Sequence, residues 1–431
     1  MLSISIIVAI IAAIAIGYKT KINTGIIAIV FAYIIGSFVM GMSAKQVILA
    51  WPIKTMFIIF SVSLFYNFAL VNGTLDKLAR HLLYACRKHP ALLPFALYLA
   101  ATVIAGLGAG FFTVIAFMAP ITLMICEESK MDKLIGAVAV NFGALSGGNF
   151  MTSGLGVVFI SLMDEAGYSD QSFMFTTVIF AASIVFALIV ISLFKYVPKS
   201  NRRIGEGVVY EKPEPLNRVQ RINFHLMLVM IAIVLFFPIA HIVSPDSAWI
   251  TYVNKRMDVG LVAIVFSFIA LLLDLAPQNE VISKIPWKTI IMISGVGMLI
   301  AVAIEAGTIN ALSAWAGSNL PIWSIPIVFT MIGAFMSFFS STTGVVCPAL
   351  FPLVPELSAT TGISPLLIFA CIVLGAQATA ISPFSSGGSL ILGSVSTDEE
   401  RDHMFSRLLF IAVPVCIGLI VIFNVILSFI L

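Results

Sequence analysis

The chain has 431 residues, 60% of them hydrophobic and 10% charged, with a net charge of +3 and a mean hydropathy of +1.11. Soluble domains carry roughly 25% charged residues, so the composition excludes a soluble globular protein, and the lack of a basic tract argues against a nucleic-acid partner. Without period-2 alternation a β-barrel is also excluded, which leaves an all-α polytopic protein of the lipid bilayer, built from helices of about 20 apolar residues each.

Met1 to Gly17 is apolar, with no positive n-region and no small-residue cleavage site, and reads as a retained first helix rather than a signal peptide. Apolar segments follow at about 23–43, 53–72, 91–127, 134–163 and 173–195. A polar linker, 196–223, separates them from segments at about 224–243, 259–275, 287–306, 321–357, 364–393 and 404–431. Cys86, Cys126, Cys347, Cys371 and Cys416 are scattered, form no metal-type spacing and read as packing residues.

Six segments, a linker and six segments invite a search for a repeat. "PIKTMFIIFSVSLFYNFALVNGTL" from Pro52 and "PWKTIIMISGVGMLIAVAIEAGTI" from Pro286 share Pro, Lys, Thr, Gly and Thr at one offset. Pro120 then matches Pro352, Gly143-Ala144 matches Gly375-Ala376, and Thr152-Ser153-Gly154 matches Ser385-Ser386-Gly387. The expected repeats are 1–195 and 224–431.

Segments 91–127 and 321–357 are too long for one crossing and are broken by "GLGAG" (Gly106–Gly110) and "SSTTG" (Ser340–Gly344), so each reads as a re-entrant hairpin. Segments 134–163 and 364–393, broken by "SGGNFMTSGLG" and "ISPFSSGG", read as discontinuous crossing helices. Irregular backbone at membrane depth is tolerated only inside protein or along a cavity. Each half thus has five crossings and one hairpin, and an odd number of crossings inverts the second half. With the linker cytoplasmic, 19 of the 23 Lys and Arg fall on that side; Lys45, Lys54, Lys255 and Arg256 fall outside with Asp164-Glu165, and both termini are external. Segment 74–88 is amphipathic and cationic and suits an interfacial helix, and 308–318 occupies the matching place.

The breaks create helix beginnings, whose free N–H groups and positive dipole ends suit an anion. Ser and Thr cap such ends and donate to carboxylates, and unwound carbonyls suit Na⁺. No Lys, Arg or His occupies 106–113, 146–154, 340–344 or 381–389, so an anion there depends on dipoles, hydroxyls and co-bound cations. Pro348, Pro352 and Pro355 read as kinks, and Lys54 and Lys288 as snorkelling side chains. Glu305 and Asp274, near helix ends, are the carboxylates available for a proton relay. The triplet Asn72-Gly73-Thr74 falls at a cytoplasmic helix end and is discounted as a glycosylation site. No His-Glu-x-x-His, embedded Asp pair or P-loop supports an enzyme or a self-contained ATP-driven pump.

"VNGTLDKLARHL", "GLGAGFFTVIAFMAPITLMI", "NFGALSGGNFMTSGLGVV", "FMSFFSSTTGVVCPALFPLVP" and "AISPFSSGGSLIL" resemble the malonate/dicarboxylate carrier family, in order along nearly the whole chain. That family lies in the ion transporter superfamily, with the divalent anion:sodium symporters. The resemblance implies a homodimer in the cell inner (plasma) membrane, a scaffold, and a transport domain holding both hairpins and both broken helices and moving as an elevator. The symporters' Ser-Asn-Thr hairpin tips, which bind carboxylate and Na⁺, are absent here; the corresponding positions lie in Gly108–Thr113 and Ser340–Gly344. Their Thr-Pro-Pro motif is also missing, with only Pro383 nearby.

Together these readings point to a secondary transporter of small dicarboxylates coupled to Na⁺. H⁺ coupling, exchange of another organic anion, and the large permease subunit of a binding-protein-dependent system remain open. Expected substrate contacts are Gly110, Thr113, Asn149, Thr152, Ser153, Ser341, Thr342, Thr343, Ser385 and Ser386. Expected Na⁺ ligands are Gly108, Ser146, Gly148, Ser340, Thr343, Ala380 and Ser382.

Overall fold

Apolar runs closed off by Pro, Gly and Asn give helices throughout the computed structural model, which describes residues 2–85, 92–196, 212–244, 246–395 and 397–431. Among the described residues there is no strand. The first half runs α1 (Leu2–Thr20), α2 (Thr24–Tyr33), α3 (Ala44–Leu49), α4 (Ile53–Val71), α5 (Thr74–Ala85), α6 (Leu93–Ile104), α7 (Phe111–Glu128), α8 (Lys133–Gly148), α9 (Gly154–Glu165) and α10 (Ser172–Tyr196). The second half runs α11 (Arg218–Val243), α12 (Ala248–Asn254), α13 (Val259–Leu272), α14 (Gln278–Ser283), α15 (Trp287–Glu305), α16 (Thr308–Asn319), α17 (Ile325–Phe339), α18 (Cys347–Leu350), α19 (Val354–Thr361), α20 (Pro365–Ala378), α21 (Ser386–Gly393), α22 (Asp398–Arg407) and α23 (Val413–Leu427). Among the described residues, eight helical stretches are long and apolar enough to cross a membrane, and five shorter apolar ones accompany them.

The order of elements repeats. α6 and α7 form the first hairpin, and α17 with α18 and α19 forms the second. The second arm of the second hairpin is broken where α7 is continuous, because Pro348, Pro352 and Pro355 each remove a backbone donor within eight residues; α7 carries only Pro120. The crossing helices part at 149–153, between α8 and α9, and at 379–385, between α20 and α21.

Some boundaries differ from the sequence reading. α11 begins at Arg218, ahead of 224, because Asn217 and Gln220 form a capping box. The short helices α3, α12 and α14 were not anticipated; α3 has its own capping box from Ser43 and Gln46. Linker residues 197–211, with Lys199, Arg202 and Arg203, lie outside the described residues, as do Cys86 and the end of segment 74–88. The other four cysteines are buried free thiols.

Packing divides the helices into two groups. α2 lies on α15, and α13 on α4. In the other group each hairpin lies on the broken helix of its own half, α6 on α8 and α17 on α20, and the halves interlock as α7 meets α21 and α18 meets α9. α4 and α15 form the boundary, α4 against α9 and the first tip, α15 against α18 and the second tip.

Among the described residues, the ion pairs between distant elements join residues read from sequence as lying on one side. Lys54 meets Asp164 at 2.7 Å, Lys77 meets Glu214 at 3.3 Å, and Lys133 meets Glu400 at 3.0 Å. The first of these gives Lys54 a partner in the acidic turn, which in sequence has no neighbouring cation. Arg407 grips both oxygens of Asp132, at 2.6 and 2.5 Å. Burial opposes ionisation of Asp132, but the Arg407 bonds and the Leu134 N–H override it and hold the carboxyl below its usual range.

Candidate substrate site between the hairpin tips and the broken helices

The two hairpin tips are built by different chemistry. At the first, a π turn (Ala105–Ala109) ends in Gly108 at φ +94° and Gly110 at φ +74°. The Tyr66 ring from α4 covers Gly108 so closely that a Cβ there would collide with it, which is why glycine stands at this position. The second tip needs no left-handed residue. Ser340 and Ser341 are extended, and Ser341 Oγ accepts from Gly344 N–H at 3.2 Å to start the turn Thr342–Val346. The hydroxyl string thus closes the tip by capping.

A small cavity opens where this second tip meets the second broken helix. Ser337, Ser340, Ser341, Thr342 and Thr343 line it on one side, and Ala380, Ser385, Ser386 and Gly387 on another. Phe111, Phe112, Leu145 and Leu155 of the first half complete it. Its free volume is about 20 Å³, enough for a water and too small for a dicarboxylate. A larger cavity of about 640 Å³ between α1, α16 and α17 is walled by residues such as Ile10, Leu312, Trp315 and Phe335 and offers a dianion no counter-charge.

Within the small cavity the hydroxyls are unequally committed. Ser385 Oγ donates to the Ala380 and Ser382 carbonyls (2.6 and 2.8 Å) and accepts from Gly388 N–H, so it serves as the N-cap of α21. Ser340 Oγ returns to the Met336 carbonyl at 2.6 Å, and Thr342 Oγ1 pairs with Ser337 Oγ at 3.2 Å. Ser382 Oγ accepts from Phe384 N–H. Thr343 lines the cavity from a buried position, and Ser386 opens it to solvent.

The expected first-half residues lie beside this cavity rather than in it. Asn149 pairs with Gln377, Ser146 donates to the Ser183 carbonyl, and Ser153 donates to the Ala105 carbonyl at 2.5 Å, tying the break to the tip. Gly148 abuts Leu155, Gly110 faces Gly154, and Thr113 is half-buried in the first turn of α7. Thr152 Oγ1 and the Tyr66 hydroxyl are buried and face each other, and neither has another polar partner. Tyr66 was missed because nothing in its local sequence ties α4 to a hairpin tip 42 residues on. Asn141, within the apolar stretch "VAVNFGAL" of α8, was also missed, although an amide inside an intramembrane helix is itself a signal.

Of the Na⁺ candidates at the unwound end of α20, the Ala380 carbonyl accepts only from Ser385 Oγ and keeps a lone pair for a hard cation, whereas the Ser382 carbonyl accepts from both the N–H and the Oγ of Ser385.

A family described as dicarboxylate carrier protein MatC, N-terminus, matches residues 1–148 and 247–380, well over half of the sequence. The chain belongs to that dicarboxylate carrier family. It is a multi-pass membrane transporter and not an enzyme. Its helices are similar to those of the Alcanivorax borkumensis YdaH transporter, whose crystal structure is described as revealing an unusual topology. The TM-score is 0.57 at 13% identity, over 88% of this chain and 86% of that one, which is a likeness of fold. No curated protein matches the chain.

Proposed function

We propose that this carrier moves small dicarboxylates, of the malonate or C4 class, in symport with Na⁺. The observation that carries the reading is the cavity at the second tip. Hydroxyls, a helix start and unwound carbonyls converge there with no basic side chain among its lining residues. A dicarboxylate brings about two negative charges, and unpaired charge in a low-dielectric site is very costly. Each helix terminus supplies only about half a unit of positive charge. A co-bound Na⁺ at the Ala380 carbonyl would neutralise and order the site, so that cation and anion bind cooperatively and reciprocally.

We further propose that the halves are inverted repeats and that the hairpin block travels as an elevator along α4 and α15, in a homodimer. The division of contacts at those two helices supports this, as does the small cavity, which must open to admit substrate. The pairing of like sides by ion pairs is consistent with a plasma-membrane protein that has a cytoplasmic linker and external termini.

One observation favours H⁺ coupling as a second reading. Asp274, Glu305 and Glu165 are all exposed at helix ends, but Glu165 also accepts a 2.6 Å bond from Thr55 and lines a cavity of about 90 Å³ at the boundary between the blocks.

Uptake of C3–C6 dicarboxylates into liposomes containing only this purified protein tests the reading. Affinity should rise steeply with Na⁺ at fixed pH and ionic strength, with K⁺ a poor substitute. Indifference to Na⁺ with strengthening as pH falls would favour H⁺, and a requirement for a separate binding protein would favour the permease-subunit alternative.

A further inference from the structure

Asn141 lies on α8, fully buried, and neither its Oδ1 nor its Nδ2 has a hydrogen-bond partner. A buried amide without partners is destabilising, by about 1–3 kcal/mol on mutational scales, so its retention calls for a reason outside folding. Its direction supplies one. A Cβ placed on Gly387 would lie 2.5 Å from the Ala380 carbonyl oxygen, 2.8 Å from the Phe111 ring and 3.0 Å from Asn141 Oδ1, so the Ala380 carbonyl and Phe111 require glycine there and the Asn141 amide faces the first turn of α21. In that turn Gly388 N–H is bound by Ser385 Oγ and Ser389 N–H by the Ser385 carbonyl, which leaves the Ser386 and Gly387 N–H groups at the open end. Phe111 and Gly387 also line the cavity of the second tip.

We infer that Asn141 is a substrate-binding residue. With the open N-terminus of α21, its amide holds one carboxylate of the transported dicarboxylate, reached from the opposite half of the chain. The inference rests on the dicarboxylate reading above and adds to it a residue and a location. An anion is favoured over a cation because the helix start is positive and its free N–H groups can only donate. A half-turn of the side-chain amide presents Nδ2, and the carboxylate then bridges Nδ2–H and the α21 N–H groups. Binding from α8 of one half and α21 of the other would also make closure of the site depend on how the two broken helices sit against each other.

The test uses the full-length protein in detergent with Asn141→Leu and Asn141→Asp, reading thermal stability without substrate and calorimetric affinity for malonate and succinate at fixed Na⁺. Leu replaces an unpartnered amide with an apolar group of similar size, so the unliganded protein should be as stable as wild type or more so. Its dicarboxylate affinity should fall roughly ten- to a hundred-fold, the range for a bond to a charged group. Asp sets carboxylate against carboxylate and should abolish binding. If Leu lowers stability and leaves affinity unchanged, Asn141 is a structural residue satisfied by water, and the inference is overturned. Tighter binding by Asp would place a cation at the amide and overturn it equally. If wild type binds no dicarboxylate, both the inference and the functional reading fall; if wild type binds and both variants match it, only the inference falls.

Discussion

Asn149 and Gln377 exchange two hydrogen bonds, 3.0 Å from Asn149 Nδ2 to Gln377 Oε1 and 2.7 Å from Gln377 Nε2 to Asn149 Oδ1. The pair is buried and fastens the end of α8 to the end of α20, so the two breaks are held in register by a closed amide ring. Asn149→Leu strands the Gln377 amide and should cost about 1–3 kcal/mol. Asn149→Leu with Gln377→Leu removes both partners and should be at least as stable as the single variant. Thermal unfolding of the purified variants measures this. A single variant with unchanged stability but weakened substrate binding would instead make Asn149 a ligand.

The hydroxyls should separate into two classes. Ser385→Ala removes an N-cap and should lower stability by about 1 kcal/mol. Ser386→Ala and Thr343→Val, whose side chains hold no cap, should leave stability within experimental error and weaken dicarboxylate affinity roughly ten- to a hundred-fold. Ser341→Ala and Thr342→Val should show both effects. Unchanged affinity in all of them would remove the second tip from the substrate site.

Gly108→Ala should disable the first tip. The alanine must hold φ near +94°, which costs about 1–3 kcal/mol for a residue with a Cβ, and its methyl meets the Tyr66 ring. Loss of transport together with a lower unfolding temperature is expected. Tyr66→Phe removes only a hydroxyl whose one polar neighbour is Thr152 and should not destabilise the protein. A Tyr66→Phe protein that unfolds earlier would show that the hydroxyl is bonded.

The Asp132–Arg407 pair should make stability fall in acid, in a defined window. The folded carboxyl lies below its unfolded value of about 3.9. Its contribution is therefore complete above roughly pH 5, begins to fade near the unfolded value and is lost as pH falls through the folded one. Asp132→Asn should be less stable than wild type by a constant margin at neutral pH, and the margin should shrink below pH 4. Unfolding temperatures of the two proteins across pH 3–8 decide the matter, and a margin independent of pH would show that the Asp132 charge does not carry the effect.

The proposed topology places Lys54 outside and Glu400 in the cytoplasm. In a Cys86→Ser background, Lys54→Cys should react with an impermeant thiol reagent added to intact cells, and Glu400→Cys only after permeabilisation. Labelling of Glu400→Cys from outside would invert the proposed topology.

Much of this architecture is written in local sequence. Apolar length, the glycines at 106–110, the hydroxyls at 340–344 and the prolines of the second hairpin each act within a few residues, through backbone sterics and the need to satisfy every peptide group away from water. Both hairpins, both breaks and their order were therefore legible, and so was the membership of Ser340–Thr343 and Ser385–Ser386 in one polar region. The tertiary structure alone decided which polar groups are spent and which are free. Asn149, expected as a ligand, exchanges its amide bonds with Gln377, 228 residues away. Asn141 and Tyr66 drew no reading from sequence, and the fold sets their polar atoms facing a helix start and a hairpin tip. A side chain's chemistry is fixed by its residue type, but its availability depends on neighbours brought from the other half of the chain, and no local pattern encodes those.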